Sequence, residues 1–252
     1  MSEAGPSTKS AAAEPEKGRP WLKRYDPLTS LVLVVPVFLI YHLGILFMDR
    51  RNGVDMASTV FFGILKQSVG VYVGVTVAIA AALIGAGFYL RKKGKARVFA
   101  FVPVLAESTL WAIGLSLTVG WATAKLIPGM IETLQLAAEP MGPIDKLVMS
   151  AGAGFHEELV FRVILFGGLA FFLRRVLNVR ATWSWVTALV VSSAIFSGIH
   201  YIGALGDEFT IGSFVFRFLA GVYLTLVFRF RGFAVAVYSH AIYDVIVLFL
   251  LQ

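Results

Sequence analysis

Long apolar runs separated by short polar loops constrain this chain more than any other feature of its sequence. The runs cover about residues 28–48, 69–90, 98–128, 145–173, 184–203, 212–229 and 233–251. A helix needs about 20 apolar residues to cross about 30 Å of hydrocarbon, and most of these runs approach or exceed that length. None shows the alternation typical of a membrane β-strand. The pattern therefore predicts an all-α, polytopic transmembrane helical bundle of about seven spans.

The composition agrees with this fold class and excludes several functions. Of the 252 residues, 58% are hydrophobic and only 15% are charged, whereas soluble domains carry roughly 25% charged residues. The absence of cysteine excludes disulfides, thiolate metal sites and a cysteine nucleophile. The net charge of +7 comes from short Lys and Arg clusters between apolar runs, which is typical of membrane topology. We therefore expect a membrane environment and no nucleic-acid partner.

The basic clusters also predict the orientation and domain organisation. With a cytoplasmic N-terminus, fifteen of the 22 basic residues lie on the cytoplasmic side, as retained positive charge requires. Residues 1–27 are polar and predict a disordered cytoplasmic tail, and residues 28–252 predict a single transmembrane bundle. A bacterial-type inner membrane is the expected location. The sequence does not indicate an oligomeric state.

Ionisable residues fall within the predicted spans. Among them are Glu107, His156, Glu157, Glu158, Arg162, His200, Arg217, His240 and Asp244. An ionisable side chain at mid-bilayer costs from about 2.5 to more than 10 kcal/mol, so such residues face a protein interior or a water-filled cavity. This concentration of charge predicts a polar site within the bundle.

The stretch AGAGFHEELVFR, at 151–162, holds the densest group of these charges. Glu158 and Arg162 are four residues apart with the acid nearer the N-terminus, which suits an ion pair on one helical face. Glu157 is turned about 100° away on an α-helix, and Phe161 is its own i+4 neighbour. Its partner must therefore lie on another helix, or it must be protonated. The small residues just before it predict a close approach of neighbouring helices.

Two further segments, FSGIH at 196–200 and HAIYD at 240–244, bring imidazole into the bundle. A carboxylate beside imidazole can deprotonate water, and an imidazole can donate to a developing oxyanion. Together these are the minimum for hydrolysing an amide. An intramembrane histidine can also serve only as an interhelical hydrogen-bonding residue.

A metal site is an alternative that the ligand types allow. Glu157, His200 and His240 could share a metal ion, although we favour a site without one. The zinc-protease pattern H-E-x-x-H fails on spacing, because HEELV has Val160 where the second histidine would stand.

Three motifs, in this order, resemble those of a known family. EELVFR resembles EExxxR, FSGIH resembles FxxxH, and HAIYD resembles Hxxx(N/D/B) of the CPBP intramembrane proteases, the CAAX protease and bacteriocin-processing (Abi) group. The resemblance covers about residues 145–251. It implies a glutamate intramembrane endopeptidase, without a metal or other cofactor, that hydrolyses peptide bonds of membrane-associated or exported protein substrates.

The resemblance also implies a role for each motif residue. Glu157 with His200 would activate the attacking water, and His240 with the residue at 244 would bind the oxyanion. Glu158 and Arg162 would brace the site. Glu107 and His156 receive no role.

Position 244 departs from the well-studied eukaryote-like members, which carry Asn there. An ionised Asp244 would repel an oxyanion, so it must be protonated or must accept a hydrogen bond from His240 and orient the ring. We favour orientation, which leaves His240 as the main oxyanion donor.

Other functions remain open at this point. The same polar cluster could be structural in a non-catalytic membrane protein, for bacteriocin self-immunity or as a partner scaffold. A proton-coupled transporter is less favoured, because we find no repeated halves or broken helices. The substrate is not indicated, although some relatives, the myxosortases, process C-terminal tails of exported proteins. His200 lies near the outer end of its span, which favours a site that opens toward the periplasm.

Overall fold

A computed structural model describes residues 25–48, 69–92, 94–126, 141–202 and 206–250. The helices are α1 (Pro27–Leu33), α2 (Val35–Gly44), α3 (Val69–Arg91), α4 (Phe101–Leu126), α5 (Pro143–Gly152), α6 (Gly167–Arg175), α7 (Ala181–Ile199), α8 (Ile211–Arg231) and α9 (Phe233–Leu250). A π-helical segment, Ala153–Phe166, joins α5 to α6. Most of the predicted tail, residues 1–24, lies outside the described residues.

The prediction of an all-α polytopic bundle is confirmed. Within the described ranges, six helices are long and apolar enough to cross a membrane: Pro27–Phe47, Val73–Arg91, Val98–Leu126, Ala181–Ile199, Ile211–Arg231 and Phe233–Leu250. Each coincides with a predicted apolar run. The seventh run, expected at 145–173, is the continuous helix made of α5, the π-helical segment and α6. This helix carries several charged residues, so it is not among the six apolar spans.

Helix α9 lies at the centre of the bundle. It packs against α4, the π-helical segment, α5, α8 and α1. Its N-terminal half, residues 234–241, is buried on every side, as expected for a helix that is apolar all round. The last residues of this buried stretch include His240, so the fold places that imidazole inside the protein.

Hydrogen bonds between helix termini show which termini share an end of the bundle. The Tyr25 amide donates to the Arg231 carbonyl at 3.0 Å, and the Arg97 amide donates to Thr29 Oγ1 at 3.1 Å. The starts of α1 and α4 therefore lie beside the end of α8. At the other end, Lys146 Nζ donates to the Leu248 carbonyl at 2.7 Å, which places the start of α5 beside the end of α9.

The two ends differ in charge. We call the first the basic end, because the described basic residues there are Arg91, Lys92, Lys95, Arg97, Arg174, Arg175, Arg180, Arg229 and Arg231. At the opposite end, the termini of α4 and α5 carry Lys125 and Lys146 among the described residues. This asymmetry follows the distribution that the sequence predicts.

Glycines allow the helix that carries Glu157 to approach its neighbours closely. A Cβ added at Gly154 would lie 2.8 Å from the Val237 carbonyl oxygen and 2.8 Å from the Ala241 Cβ, both on α9. A Cβ at Gly152 would collide with the Tyr41 ring of α2. The expected close approach at AGAG is confirmed, and it brings the Glu157 backbone next to the helix of His240.

Gly154→Ala should therefore separate the π-helical segment from α9. We expect a loss of about 1–3 kcal/mol in the free energy of unfolding, because the added methyl group meets a backbone atom that cannot rotate away. SDS-induced unfolding of the purified protein measures it. Gly168→Ala is the matched control, since a Cβ there meets nothing within 4 Å. The control should be neutral or stabilising by up to about 1 kcal/mol, and equal losses for both variants would contradict the packing.

Candidate active site

Three helical segments place a carboxylate between two imidazoles. Glu157 comes from the π-helical segment, His200 follows the last residue of α7, and His240 lies in α9. The Oε2 atom of Glu157 lies 4.0 Å from Nε2 of His200 and 3.8 Å from Nε2 of His240. These three motif residues therefore converge on one carboxylate oxygen.

Glu158 supports the cluster from its buried side. Its Oε2 lies 3.1 Å from Nε of Arg162, and both side chains are almost completely buried. Its Oε1 accepts a hydrogen bond from His240 Nδ1 at 2.8 Å. The predicted Glu158–Arg162 pair is confirmed. It is not self-contained, however, because the same carboxylate also fixes the ring of His240.

Asp244 does not occupy the position beside His240 that the sequence suggests. Its Oδ2 is 3.7 Å from Nε2 of His240, one helical turn away, which is too long for a hydrogen bond. We expected Asp244 to orient His240, but in the structure Glu158 occupies the orienting position at Nδ1. Asp244 instead faces the same nitrogen of the ring as Glu157 does.

The tautomer of His200 follows from its backbone partner. Nδ1 of His200 lies 2.7 Å from the Phe196 carbonyl oxygen. A carbonyl oxygen can only accept, so Nδ1 carries the proton. This bond also satisfies one of the last carbonyls of α7, which the helix itself cannot pair. In the neutral form of the ring, Nε2 is therefore the nitrogen with the lone pair, and it faces Glu157.

Phe196 is a site residue that the sequence analysis did not assign. Its ring lies 4.4 Å from the guanidinium carbon of Arg162, a cation–π contact in a buried environment. It also meets the His200 ring edge to face at 5.1 Å. The i,i+4 spacing of Phe196 and His200 places both on one face of α7, which is the sequence signal that could have found it.

Glu107 and Arg217, both intramembrane charges, pair outside this cluster. Glu107 forms a two-point ion pair with Arg231, with Nη2–Oε2 at 2.9 Å, and accepts from Trp111 Nε1 at 3.1 Å. Arg217 pairs with Asp207 in the loop that follows His200. Neither charge belongs to the converging group.

His156 turns away from the cluster although it precedes Glu157 in the chain. Its ring lies 5.0 Å from the Tyr41 ring and 5.1 Å from the His42 ring, both on α2. It therefore packs in an aromatic contact between the π-helical segment and the first span. The sequence left this residue unassigned, and its place here is structural.

The π-helical form of Ala153–Phe166 determines the directions in which the side chains of Glu157 and Glu158 point. Gly167 N donates to the Arg162 carbonyl, an i→i+5 bond. Such segments are rare and are frequently found at functional sites. A π-helix has more residues per turn than an α-helix, so the angle between the side chains of adjacent residues is smaller than the angle of about 100° in an α-helix. Glu157 and Glu158 can therefore both face α9.

The arrangement is suited to acid–base chemistry on a bound water. A carboxylate oxygen and two imidazole nitrogens surround one small volume, and the second carboxylate fixes one of the rings. Among the described residues, no group of three or more His, Asp and Glu side chains is arranged to hold a metal ion. The expectation of a site without a cofactor stays a prediction.

Comparison with known proteins agrees with the motifs. Residues 141–246 match the family model described as Type II CAAX prenyl endopeptidase Rce1-like. This range contains all six residues that the motifs assign and nearly coincides with the expected core at 145–251. No curated protein and no solved structure matches the chain. The protein is thus a multi-pass membrane protein in which residues 141–246 are similar to the Rce1-like group of the CAAX prenyl endopeptidases.

Proposed function

We propose that the protein is an intramembrane endopeptidase that hydrolyses peptide bonds with a water activated by Glu157. The observation that supports this most directly is the approach of two imidazole Nε2 atoms to one carboxylate oxygen, at 4.0 and 3.8 Å. These spacings leave room for a water that donates to the Glu157 carboxylate and contacts an imidazole nitrogen. The substrates are membrane-associated or exported proteins.

In the first step, water binds between Glu157 and His200. Its hydrogens point at the Glu157 carboxylate and at the Nε2 lone pair of His200, which the Phe196 contact leaves as an acceptor. Glu157 removes one proton while the water oxygen forms a bond to the carbonyl carbon of the substrate. General base assistance of this kind contributes about 10²- to 10⁴-fold to the rate.

As that bond forms, the π pair of the carbonyl moves onto its oxygen, and His240 stabilises the resulting oxyanion in the second step. The imidazolium form of His240 carries N–H on both nitrogens, so Nδ1 can donate to Glu158 while Nε2 donates to the oxyanion. Carboxylates of Glu157, Glu158 and Asp244 lie within 3.8 Å of this ring and complement its charge. Glu157 then returns its proton to the nitrogen of the leaving amine as the C–N bond breaks.

The supporting residues hold this geometry in place. Glu158 is fixed by Arg162 on one side and by His240 on the other. Phe196 covers the guanidinium of Arg162 and supplies the carbonyl that fixes His200. Buried, hydrogen-bonded groups of this kind keep donors and acceptors pre-organised for the transition state. No step requires a metal or another cofactor.

A search for uncleaved proteins in cells tests the proposal. Membrane proteins from cells that express the wild type or Glu157→Ala, at equal abundance, are compared by sequencing new protein termini. We expect at least one membrane or exported protein to lose a cleavage in the variant. Identical termini, together with a preserved cellular phenotype, would instead favour a structural role for the polar cluster.

Asp244→Asn separates the two roles considered for that residue. Because Glu158 already orients His240, we expect hydrolysis to stay within about tenfold of wild type, since an amide N–H can donate to the oxyanion. Initial rates of substrate cleavage by purified variants measure it. Asp244→Ala is the companion variant and should be slower than Asp244→Asn. A loss of 10²-fold or more in Asp244→Asn would assign the orienting role to Asp244 after all.

A further inference from the structure

Exposure rises along the polar cluster in one direction. Arg162 and Glu158 form its closed side, at 1% and 0% exposure. Glu157 is 9% exposed, whereas His200 and Asp244 reach 24% and 22%. The cluster is therefore most open on the side of His200.

Among the described residues, Tyr201, Asp207 and Arg217 form the mouth of this opening. The Asp207 amide donates to the His200 carbonyl at 2.8 Å, so Asp207 is attached directly to the site. The Asp207 carboxylate, 56% exposed, accepts from the Arg217 guanidinium. That guanidinium also lies over the Tyr201 ring, at 5.2 Å. A polar, exposed rim thus surrounds His200 at the end of the bundle opposite the basic end.

In the other direction, the ion pair is bordered by aromatic side chains. Between Arg162 and the basic end lie Phe166 and Phe228, both buried. Their rings meet edge to face at 6.1 Å. The exposed side of the cluster is therefore the side of His200.

The charge difference between the two ends assigns them to membrane faces. Lys and Arg near span ends are retained on the cytoplasmic side. The basic end carries the clusters around Arg91, Arg175 and Arg231. It therefore faces the cytoplasm, and the mouth beside His200 faces away from it.

We infer that the catalytic cluster opens to the extracytoplasmic face of the membrane, through the rim formed by Asp207 and Arg217. The opening itself is inferred from exposure and charge, whereas its consequence for the substrates rests on the proposed function. It names their class: polypeptide segments presented outside the cytoplasm. A cytoplasmic tail would have no access to Glu157.

The absence of cysteine makes this directly testable, because each introduced thiol is the only one in the chain. Glu208→Cys reports on the loop at the mouth, and Asp244→Cys reports on the site itself. Arg180→Cys is the matched control at the basic end, and it is exposed like Glu208. Intact and permeabilised cells are treated with a membrane-impermeant methanethiosulfonate, and the remaining thiols are counted by a maleimide–polyethylene glycol gel shift. Tyr201→Cys replaces Asp244→Cys if the latter does not accumulate.

We expect Glu208→Cys and Asp244→Cys to react in intact cells, and Arg180→Cys to react only after permeabilisation. The reverse pattern would place the mouth in the cytoplasm and overturn the inference. Reaction at Glu208→Cys without reaction at either site thiol, even after permeabilisation, would show that the rim is not an entrance. Labelling needs no cleavage, so loss of the proposed protease activity and loss of the proposed opening are distinguished.

Discussion

Replacing Glu157 by glutamine is expected to slow peptide hydrolysis by about 10²- to 10⁴-fold, the range that general base assistance supplies. Glutamine keeps the shape of the side chain but cannot take a proton from water. The two imidazoles that flank the Oε2 atom remain in place, so substrate binding should change little. Steady-state rates of purified wild type and Glu157→Gln, with the substrate identified in cells, measure the effect.

The matched control is Glu208→Gln, which makes the same chemical change on an exposed loop residue. Its activity should equal that of wild type. The unfolding transition of Glu157→Gln should also stay close to wild type, which separates catalysis from stability. Activity of Glu157→Gln within tenfold of wild type would remove Glu157 from the role of base.

The largest loss of stability is expected from Arg162→Met. The substitution preserves most of the side-chain volume but leaves the Glu158 carboxylate buried without its cation. Breaking a buried pair by removing one partner costs about 3–5 kcal/mol. SDS-induced unfolding in mixed micelles measures it, with Arg175→Met as the control on the same continuous helix. Arg175 is exposed, so its loss should stay within about 0.5 kcal/mol.

The double variant Glu158→Gln with Arg162→Met tests the reason for that loss. Removing both charges should restore part of the stability, because no uncompensated carboxylate remains. Activity should not return, since His240 loses the ionised partner of its Nδ1. Equal instability of the single and double variants would show that Arg162 contributes through packing on Phe196 rather than through its charge.

The spans were predictable from the sequence because hydrophobic thickness alone sets them. The run expected at 212–229 is the helix Ile211–Arg231, and the run at 233–251 is Phe233–Leu250. The charged run at 145–173 is also helical. Its π-helical centre was not predictable, because the length of an apolar run does not depend on whether the helix has α- or π-type hydrogen bonds.

Within the site, the sequence predicts the contacts between residues that are close together in the chain. The i,i+4 relation identifies the Glu158–Arg162 pair, since both residues lie on one helix. The bond from His240 to Glu158 joins residues 82 apart in sequence, and no local pattern determines it. The same holds for Glu107 with Arg231, which are 124 apart. The expectation for Asp244 differs from the structure for this reason. Asp244 is the i+4 neighbour of His240, whereas the carboxylate that orients the ring belongs to the distant Glu158.

The central claim is that Glu157 activates water rather than attacking the substrate itself. A single turnover in H₂¹⁸O, with enzyme in excess over substrate, tests this most directly. If Glu157 activates water, every new C-terminal carboxylate carries one ¹⁸O from that first turnover, because the attacking water forms the bond to the carbonyl carbon. Unlabelled product, with ¹⁸O found in the Glu157 carboxylate, would contradict it and identify a covalent glutamyl anhydride.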